Sequence, residues 1–147
     1  MKVKIISVGK VKDKGLNELI NYYAKQIKTI EMIEITDEAS ITGMEKEGQK
    51  ILSKIAKDSY VISLAIEGKV LDSAQFAETI DHVTTNFGPS ITFIIGGSFG
   101  LSNNVKENSN LLLSFSKMTF PHQLMKLFLV EQIFRAQAIL NNHPYHK

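Results

Sequence analysis

The chain has 147 residues, the usual size of one domain, and we expect a single domain over residues 1–147. Hydrophobic residues make up 44% and charged residues 22%, which excludes disordered and collagen-like classes. Cysteine is absent, which excludes a disulfide framework, a thiolate nucleophile and a cysteine metal site. No apolar stretch approaches the roughly 18 residues that cross a bilayer, so we expect no signal peptide, no membrane partner and a cytoplasmic protein.

The net charge of +2 is unevenly distributed along the chain. Residues 1–28 hold seven lysines against two acids, residues 29–110 six against twelve, and residues 111–147 four basic residues against one acid. The segments therefore carry +5, −6 and +3. Two basic ends favour a polyanionic partner such as nucleic acid if they meet in the fold, although a solvated lysine face is an equally good interpretation.

The first third of the chain predicts a strand, a helix and a second strand. Val3–Val8 is an apolar, alternating run that ends at Gly9, which is typical of a strand followed by a turn. A helix follows, because apolar residues recur at steps of three and four: Leu16, Leu19, Ile20, Tyr23, Ile27 and Ile30. Ile30–Ile35 predicts the second strand, and Thr36–Gly43 predicts a loop because it lacks periodicity.

The middle of the chain predicts helix, strand, turn and helix. Met44–Ala56 is a polar segment with a short apolar stripe, typical of a surface helix. Tyr60–Ile66 is continuously apolar, as a strand covered on both faces requires, and Glu67–Lys69 predicts a turn after it. Asp72 and Gln75 have the spacing of a capping box, which predicts that another helix begins there.

Two further strands run directly into loops. Ile91–Ile95 leads into Gly96–Gly100, and Leu111–Phe115 leads into Ser116–Pro121. Strands that alternate with helices indicate an α/β fold with a largely parallel sheet. Ligands of such sheets bind beyond the carboxyl ends of the strands, so these two loops are the expected site.

The last predicted helix, His122–Leu140, has apolar side chains around most of its circumference. One small sheet covers only one side of a helix, so the remaining apolar surface needs another partner. We therefore predict a homodimer that forms through this helix.

Gly96–Gly100 brings backbone amides close to a ligand, because glycine has no Cβ and reaches positive φ. The segment lacks the pattern of a dinucleotide-binding turn and the lysine of a phosphate loop, which argues against both. A purely structural turn is an equally good interpretation.

Two polar residues on the last helix are candidates for chemistry. A helix N-terminus disfavours an imidazolium, so His122 could remain neutral near pH 7 and accept a proton, or it could simply pack at the helix entry. Arg135 is the only arginine and lies four residues after Glu131. It could pair with that glutamate along the helix or hold a phosphate bidentately.

The remaining histidines do not predict a metal site. His82 lies beside a helix stripe and is most simply a boundary residue. His143 and His146 are separated by Pro144, which breaks the helix that would align them, and no third ligand is near in sequence. We therefore expect no bound metal.

In combination these motifs resemble one family. They are Ile95–Gly100, Leu113–His122, Glu131-Gln132 with Arg135-Ala136, and His143-Pro144-Tyr145-His146-Lys147. From Ser7-Val8-Gly9-Lys10 to the last residue, the chain resembles the bacterial 23S ribosomal RNA (pseudouridine-N3) methyltransferases, minimal members of the SPOUT class. The resemblance implies a SPOUT α/β knot with helices on both faces of the sheet and a C-terminal trefoil knot. It also implies a homodimer, with S-adenosylmethionine bound in the knot, that methylates N3 of a pseudouridine in 23S rRNA of the assembled ribosome.

The resemblance also implies site residues. The implied cofactor contacts are Leu64, Gly96, Gly97, Phe115, Ser116, Lys117, Met118, Thr119 and Phe120. The implied catalytic residues are His122, Arg135 and His146, and the implied RNA contacts are Arg135, Tyr145, His146 and Lys147, with the tail completing the partner's site. Two features depart from the family: Phe99 replaces a usually polar residue, and the Thr36–Gly43 loop is short.

Two other functions compete with the methyltransferase. A non-enzymatic ribosome-binding factor would keep the basic ends but has no use for the two loops. A nucleotide-binding hydrolase would use the glycine segment for phosphate and would need a metal, which the carboxylate pattern does not support. Binding of S-adenosylmethionine separates the first interpretation from both.

Overall fold

Five parallel strands form the centre of the computed structural model, which describes residues 1–38 and 40–147. The strands are β1 (Lys2–Val8), β2 (Ile30–Ile35), β3 (Tyr60–Val70), β4 (Ser90–Ile95) and β5 (Leu111–Ser114). Their order is β2-β1-β4-β3-β5, and every neighbouring pair is parallel. The predicted α/β fold with a largely parallel sheet is confirmed.

Helices cover both faces of this sheet. They are α1 (Lys14–Ala24), α2 (Met44–Lys54), α3 (Ser73–Asn86), α4 (Asn103–Glu107) and α5 (His122–Leu140). The strands alternate, so Ile5 and Phe93 face a core shared with α1, α3 and α5, whereas Ile6 and Ile94 face a smaller core shared with α2 and α4. The predicted cover on both faces is confirmed, and threading of the C-terminal segment stays a prediction.

The capping box and the last helix are also as predicted. Gln75 N–H donates to Asp72 Oδ1 at 2.7 Å, and Asp72 N–H donates to Gln75 Oε1 at 2.9 Å. Both amides lie at the start of a helix, where they have no backbone acceptor, so the two side chains replace the missing hydrogen bonds. Helix α5 spans the predicted residues, and it packs against α1 and α3.

The predicted turn at Glu67–Lys69 is wrong, because β3 continues to Val70. Its pairing with β5 is interrupted: Leu64 and Lys69 both lie opposite Leu113, so the intervening residues bulge out of the ladder. Gly68 permits the return, since a Cβ there would lie 2.6 Å from the backbone carbon of Leu112. A glycine that serves close strand approach was therefore mistaken for a turn glycine.

Three smaller differences lie in loops and helix ends. Helix α1 stops at Ala24, so Ile27 is buried from the turn after it. The short α4 was not predicted, although Ser102 caps it by accepting from Val105 N–H at 3.3 Å. The predicted loop Thr36–Gly43 contains no helix or strand in its described residues, and Ala39 lies outside them.

The structure has no candidate for a membrane span within residues 1–38 and 40–147, because none of their helices is sufficiently long and apolar.

Candidate functional site

A cavity of about 670 Å³, which we call the edge cavity, opens at the carboxyl ends of β4 and β5 and beside the middle of β3. Its wall is formed by Leu64–Glu67 of β3, by the last residues of β4 and β5, and by the loops that follow these two strands. The loop residues at its wall include Gly96–Leu101, Ser114–Ser116 and Met118–His122. The two strand-to-loop junctions predicted to hold a ligand therefore share one pocket.

Most residues that the resemblance implied as cofactor contacts line this cavity. They are Leu64, Gly96, Gly97, Phe115, Ser116, Met118, Thr119 and Phe120. Lys117 is the exception, since it is exposed and lies outside the lining. The strand order brings together segments that are about 30 and 20 residues apart in the sequence, because β3 lies between β4 and β5 in the sheet.

The glycines in the wall fit tightly against the protein itself. A Cβ on Gly96 would lie 2.8 Å from the carbonyl of Gly100, and a Cβ on Gly97 would lie 2.8 Å from Val8 Cγ1. Gly100 has φ +81°, a conformation that L side chains rarely adopt. The turn thus needs glycine for its own packing, which confirms the structural interpretation, and ligand binding by this turn stays a prediction.

Hydrogen bonds fix the second loop of the edge cavity. Ser114 Oγ donates to the carbonyl of Ser116 at 2.9 Å, and Met118 N–H donates to Ser116 Oγ at 3.0 Å. Phe120 packs edge-on against Phe128 of α5, with ring centroids 5.7 Å apart. The wall is therefore ordered before any ligand arrives.

His122 lies where α5 meets the edge cavity. It lines the cavity, and its Nε2 is so close to Gly9 that a Cβ there would lie 2.7 Å away. Gly9 itself has φ +93°, which favours glycine at the end of β1. The imidazole thus packs at the helix entry and also lines the cavity, and its role as a proton acceptor stays a prediction.

An ion pair that the sequence did not reveal fixes the same end of α5. Lys126 is buried, and its Nζ lies 3.3 Å from Glu34 Oε2 at the end of β2. The same carboxylate oxygen accepts from Val11 N–H at 3.2 Å. Lys126 was counted among the basic C-terminal residues, but its charge is neutralised here.

Arg135 and the C-terminal tail form a second cluster around Glu131. Arg135 Nε and Nη2 donate to Glu131 Oε1 at 2.9 and 2.6 Å, so the helical ion pair is formed. The Tyr145 hydroxyl donates to the same oxygen at 2.9 Å, and the Arg135 guanidinium lies 4.7 Å from the Tyr145 ring centroid. Arg135 Nη1 lies 3.1 Å from His146 Nδ1. The structure thus brings together three of the four implied RNA contacts, whereas Lys147 is exposed.

The electrostatics of this cluster follow from its hydrogen bonds. The bond to Glu131 raises the pKa of Arg135 above its ordinary value. The Tyr23 hydroxyl, 3.4 Å away, burial and the carboxylate of Glu131 all raise the pKa of Tyr145. Arginine and tyrosine therefore keep their protons throughout the physiological range.

The tail cluster borders a second pocket of about 680 Å³ between α1, α3 and α5, which we call the helix cavity. Arg135, Glu131 and Tyr145 line one side of it. Phe115, Ser116 and Phe120 line both pockets, so the same loop separates them. Among the described residues, no three His, Asp or Glu side chains gather as metal ligands.

Comparison with known proteins identifies the family. The family described as "Predicted SPOUT methyltransferase" matches residues 1–146. The chain belongs to this SPOUT methyltransferase family. It is 94% identical over 147 residues to the ribosomal RNA large subunit methyltransferase H of Acholeplasma laidlawii (strain PG-8A), and both chains are covered completely. It is 49% identical over 159 residues to the protein of the same name from Streptococcus thermophilus (strain CNRZ 1066), again with complete coverage of both.

Solved structures support the SPOUT fold at much lower sequence identity. A probable methylase family protein from Haemophilus influenzae Rd KW20 has a TM-score of 0.58 at 15% identity, over 99% of this chain and 70% of that one. The putative methyltransferase Lpg2936 from Legionella pneumophila, solved with bound SAM, has a TM-score of 0.55 at 11% identity, over 93% and 66%. These likenesses show the fold.

Three contacts of this SPOUT chain escaped sequence reasoning. Glu131 was considered only as a partner of Arg135, whereas it also holds Tyr145. Tyr23 was assigned to the core stripe of α1, yet its hydroxyl reaches the tail. Glu34 lies at the end of a strand, where nothing in the sequence pointed to a buried lysine 92 positions away. Only the spacing of Glu131 and Arg135 gave a signal.

Proposed function

We propose that this chain transfers a methyl group from S-adenosylmethionine to N3 of a pseudouridine in 23S rRNA of the assembled ribosome. The observation that carries the proposal is the edge cavity, because the specific loop motifs of the chain converge on it. Its relatives in Acholeplasma laidlawii and Streptococcus thermophilus are named as methyltransferases of large-subunit ribosomal RNA. The ribosomal substrate implies a cytoplasmic location. The single five-stranded sheet supports one domain over residues 1–147.

The edge cavity fits S-adenosylmethionine in size and chemistry. Its volume of about 670 Å³ suits a ligand of that class, and Leu64, Phe115 and Met118 offer apolar surface to an adenine ring. Backbone amides of the two loops supply hydrogen bonds at the edges of such a ring. S-adenosylmethionine supplies a methyl group on a cationic sulfonium, and no metal is needed for its transfer.

The residues of this chain have two tasks in such a reaction. They align the target nitrogen with the methyl group and exclude water, which replaces an improbable encounter by a bound geometry. They also accept the proton that the imide nitrogen must lose. His122 lines the edge cavity, and His146 lies against Arg135, so these two imidazoles are the proposed acceptors.

Arg135, Tyr145, His146 and Lys147 are the proposed RNA contacts. Arg135 has one η nitrogen on Glu131 and the other near His146, so it holds the tail while its guanidinium borders the helix cavity. Lys147 is exposed and free to approach a phosphate. Tyr145 also lines the helix cavity, which suits a base that stacks there.

The proposed enzyme is a homodimer that assembles through α5 and α1. Phe128 and Leu140 of α5 are 37% and 40% exposed, and Leu19 of α1 is 43% exposed. Exposed apolar side chains on adjacent helices are what a self-complementary interface buries. The family resemblance implies that the tail of a second copy completes the site. Threading of the C-terminal segment as a trefoil knot belongs to the same proposal.

Three measurements test the proposed function. Calorimetry with S-adenosylmethionine should show binding to the purified chain, and labelled methyl groups should appear on ribosomes that carry unmodified pseudouridine. Mass mapping of the rRNA should place the label on N3 of one pseudouridine. Ribosome binding without methyl transfer would instead identify a non-enzymatic binding factor, and failure to bind the donor would overturn the proposal.

A further inference from the structure

Phe99 is an aromatic residue that the fold exposes at the rim of the edge cavity. It lines the cavity, and 48% of its surface is exposed. Among the residues that the structure describes, no other aromatic ring packs against its ring. The side chain therefore contributes little to either hydrophobic core, and its position needs another explanation.

The turn that carries Phe99 is held in place on both sides. Gly100 N–H donates to the carbonyl of Gly97 at 3.0 Å, which closes the turn. Ser98 Oγ donates to Asp37 Oδ2 at 3.3 Å, which ties the turn to the loop after β2. A ring on a fixed turn loses little conformational freedom when a ligand packs on it, so binding to it is more favourable.

Met118 is a second exposed apolar side chain in the lining of the same cavity. It is 73% exposed, and its backbone is fixed by the bond from its N–H to Ser116 Oγ. Because Phe99 and Met118 both line the cavity and both reach solvent, they mark its mouth. Lys117, next to Met118, is exposed and forms no ion pair with any residue that the structure describes.

The chemistry of this mouth suits a nucleobase that arrives from outside. A flat aromatic face stacks on the face of any base, and the exposed Lys117 of the second loop supplies a positive charge that attracts phosphate. The donor is small enough to enter the cavity, where Leu64 and Leu113 are 7% and 1% exposed. A ribosomal substrate is far too large to enter, so it contacts the rim.

We propose that Phe99 is a stacking platform for a base of the substrate RNA at the mouth of the edge cavity. This inference rests on the proposed function. It adds a residue for RNA binding that lies on the glycine turn, away from Arg135 and the tail. It also gives the aromatic departure at this position a role in substrate recognition.

The test compares four variants. Phe99→Ala and Phe99→Leu remove the aromatic face, and Phe99→Trp keeps it. Phe87→Leu is the matched control, because Phe87 is 53% exposed but follows α3, away from the edge cavity. For each, KM for unmodified ribosomes, Kd for S-adenosylmethionine and the oligomeric state are measured. The alanine and leucine variants should raise KM about tenfold, the size of one lost base stack, while Phe99→Trp and Phe87→Leu should not.

Three results would overturn the inference. A normal KM in Phe99→Leu would show that apolar contact suffices without stacking. A parallel rise in the Kd for S-adenosylmethionine would assign the ring to the donor instead. Dissociation of an oligomer in Phe99→Ala would assign it to a second copy of the chain. If the unmutated protein transfers no methyl group, the proposed function has failed, and sedimentation of the same variants with ribosomes still decides whether Phe99 stacks on RNA.

Discussion

The edge cavity and the tail cluster depend on different kinds of residues and interactions. The edge cavity is walled mainly by backbone, glycine and apolar side chains, and hydrogen bonds of Ser98, Ser114 and Ser116 fix its loops. Its wall also includes Lys106 and Glu67, whose Nζ and Oε1 lie 2.7 Å apart. The tail cluster depends on one carboxylate, Glu131, that holds an arginine and a tyrosine. Binding at the edge cavity should therefore be most sensitive to substitutions that change side-chain shape. The tail cluster should be most sensitive to substitutions that change charge.

The largest expected effect separates the two regions by function. Arg135→Ala should lower kcat/KM for ribosomes by about 100-fold, the usual scale for losing a positioned charged donor, while the Kd for S-adenosylmethionine stays unchanged. Arg135→Lys keeps the charge but not the fork that spans Glu131 and His146, so it should recover part of the activity. Steady-state kinetics and calorimetry check this. A loss of donor binding in Arg135→Ala would contradict the separation.

The ion pair of Lys126 with Glu34 beneath α5 is one of the charged contacts near the edge cavity. Glu34→Gln should lower the free energy of unfolding by about 2 kcal/mol, because Lys126 would remain buried without its counter-charge. Lys126→Met should cost less, since it removes the buried charge itself. Urea unfolding of both single variants and the double variant measures this. Equal losses in the two single variants would contradict it.

A change of shape at the edge cavity should affect the donor alone. Gly97→Ala places a methyl group 2.8 Å from Val8 Cγ1, so the turn must shift, and the Kd for S-adenosylmethionine should rise about tenfold. Gly88→Ala is the control, since nothing lies within 4 Å of its added Cβ. Calorimetry on both variants checks the effect, and equal affinities would show that the turn does not shape the donor site.

The smallest expected effect comes from Glu47, which approaches the glycine turn through Asp37. Burial raises the pKa of Glu47 above its ordinary 4.5, and the Asp37 carboxylate adds to the rise. The folded state therefore binds this proton more tightly than the unfolded state does. Its contribution to stability is full below pH 4.5 and is lost as pH rises through the higher folded pKa. Glu47→Gln should flatten that part of the stability curve, as thermal unfolding at several pH values will show; an unchanged slope would contradict it.

Periodicity predicted most of the fold because it reports burial directly. The buried strands β3 and β4, the capping box of α3 and the full length of α5 were all visible in the sequence. The wrong turn in β3 has a clear physical cause. Gly68 serves a close approach between strands, and a glycine in a sequence does not reveal whether it turns the chain or admits a neighbour.

The candidate site was predictable only where it consists of motifs. The loops that line the edge cavity are contiguous in sequence, so the family resemblance located them. The contacts of Glu34 with Lys126 and of Tyr23 with Tyr145 join residues that are 92 and 122 positions apart. Such pairs depend on how helices settle on the sheet, which local patterns do not encode.

The edge cavity and the helix cavity have nearly equal volumes and share a wall, which is formed by Phe115, Ser116 and Phe120. A ligand that displaces this shared wall from one cavity alters the shape of the other cavity. Thermodynamic reciprocity then requires that two ligands, one in each cavity, change one another's affinity by the same factor. A compound designed to fill one cavity would consequently be detected as a change in ligand affinity at the other cavity.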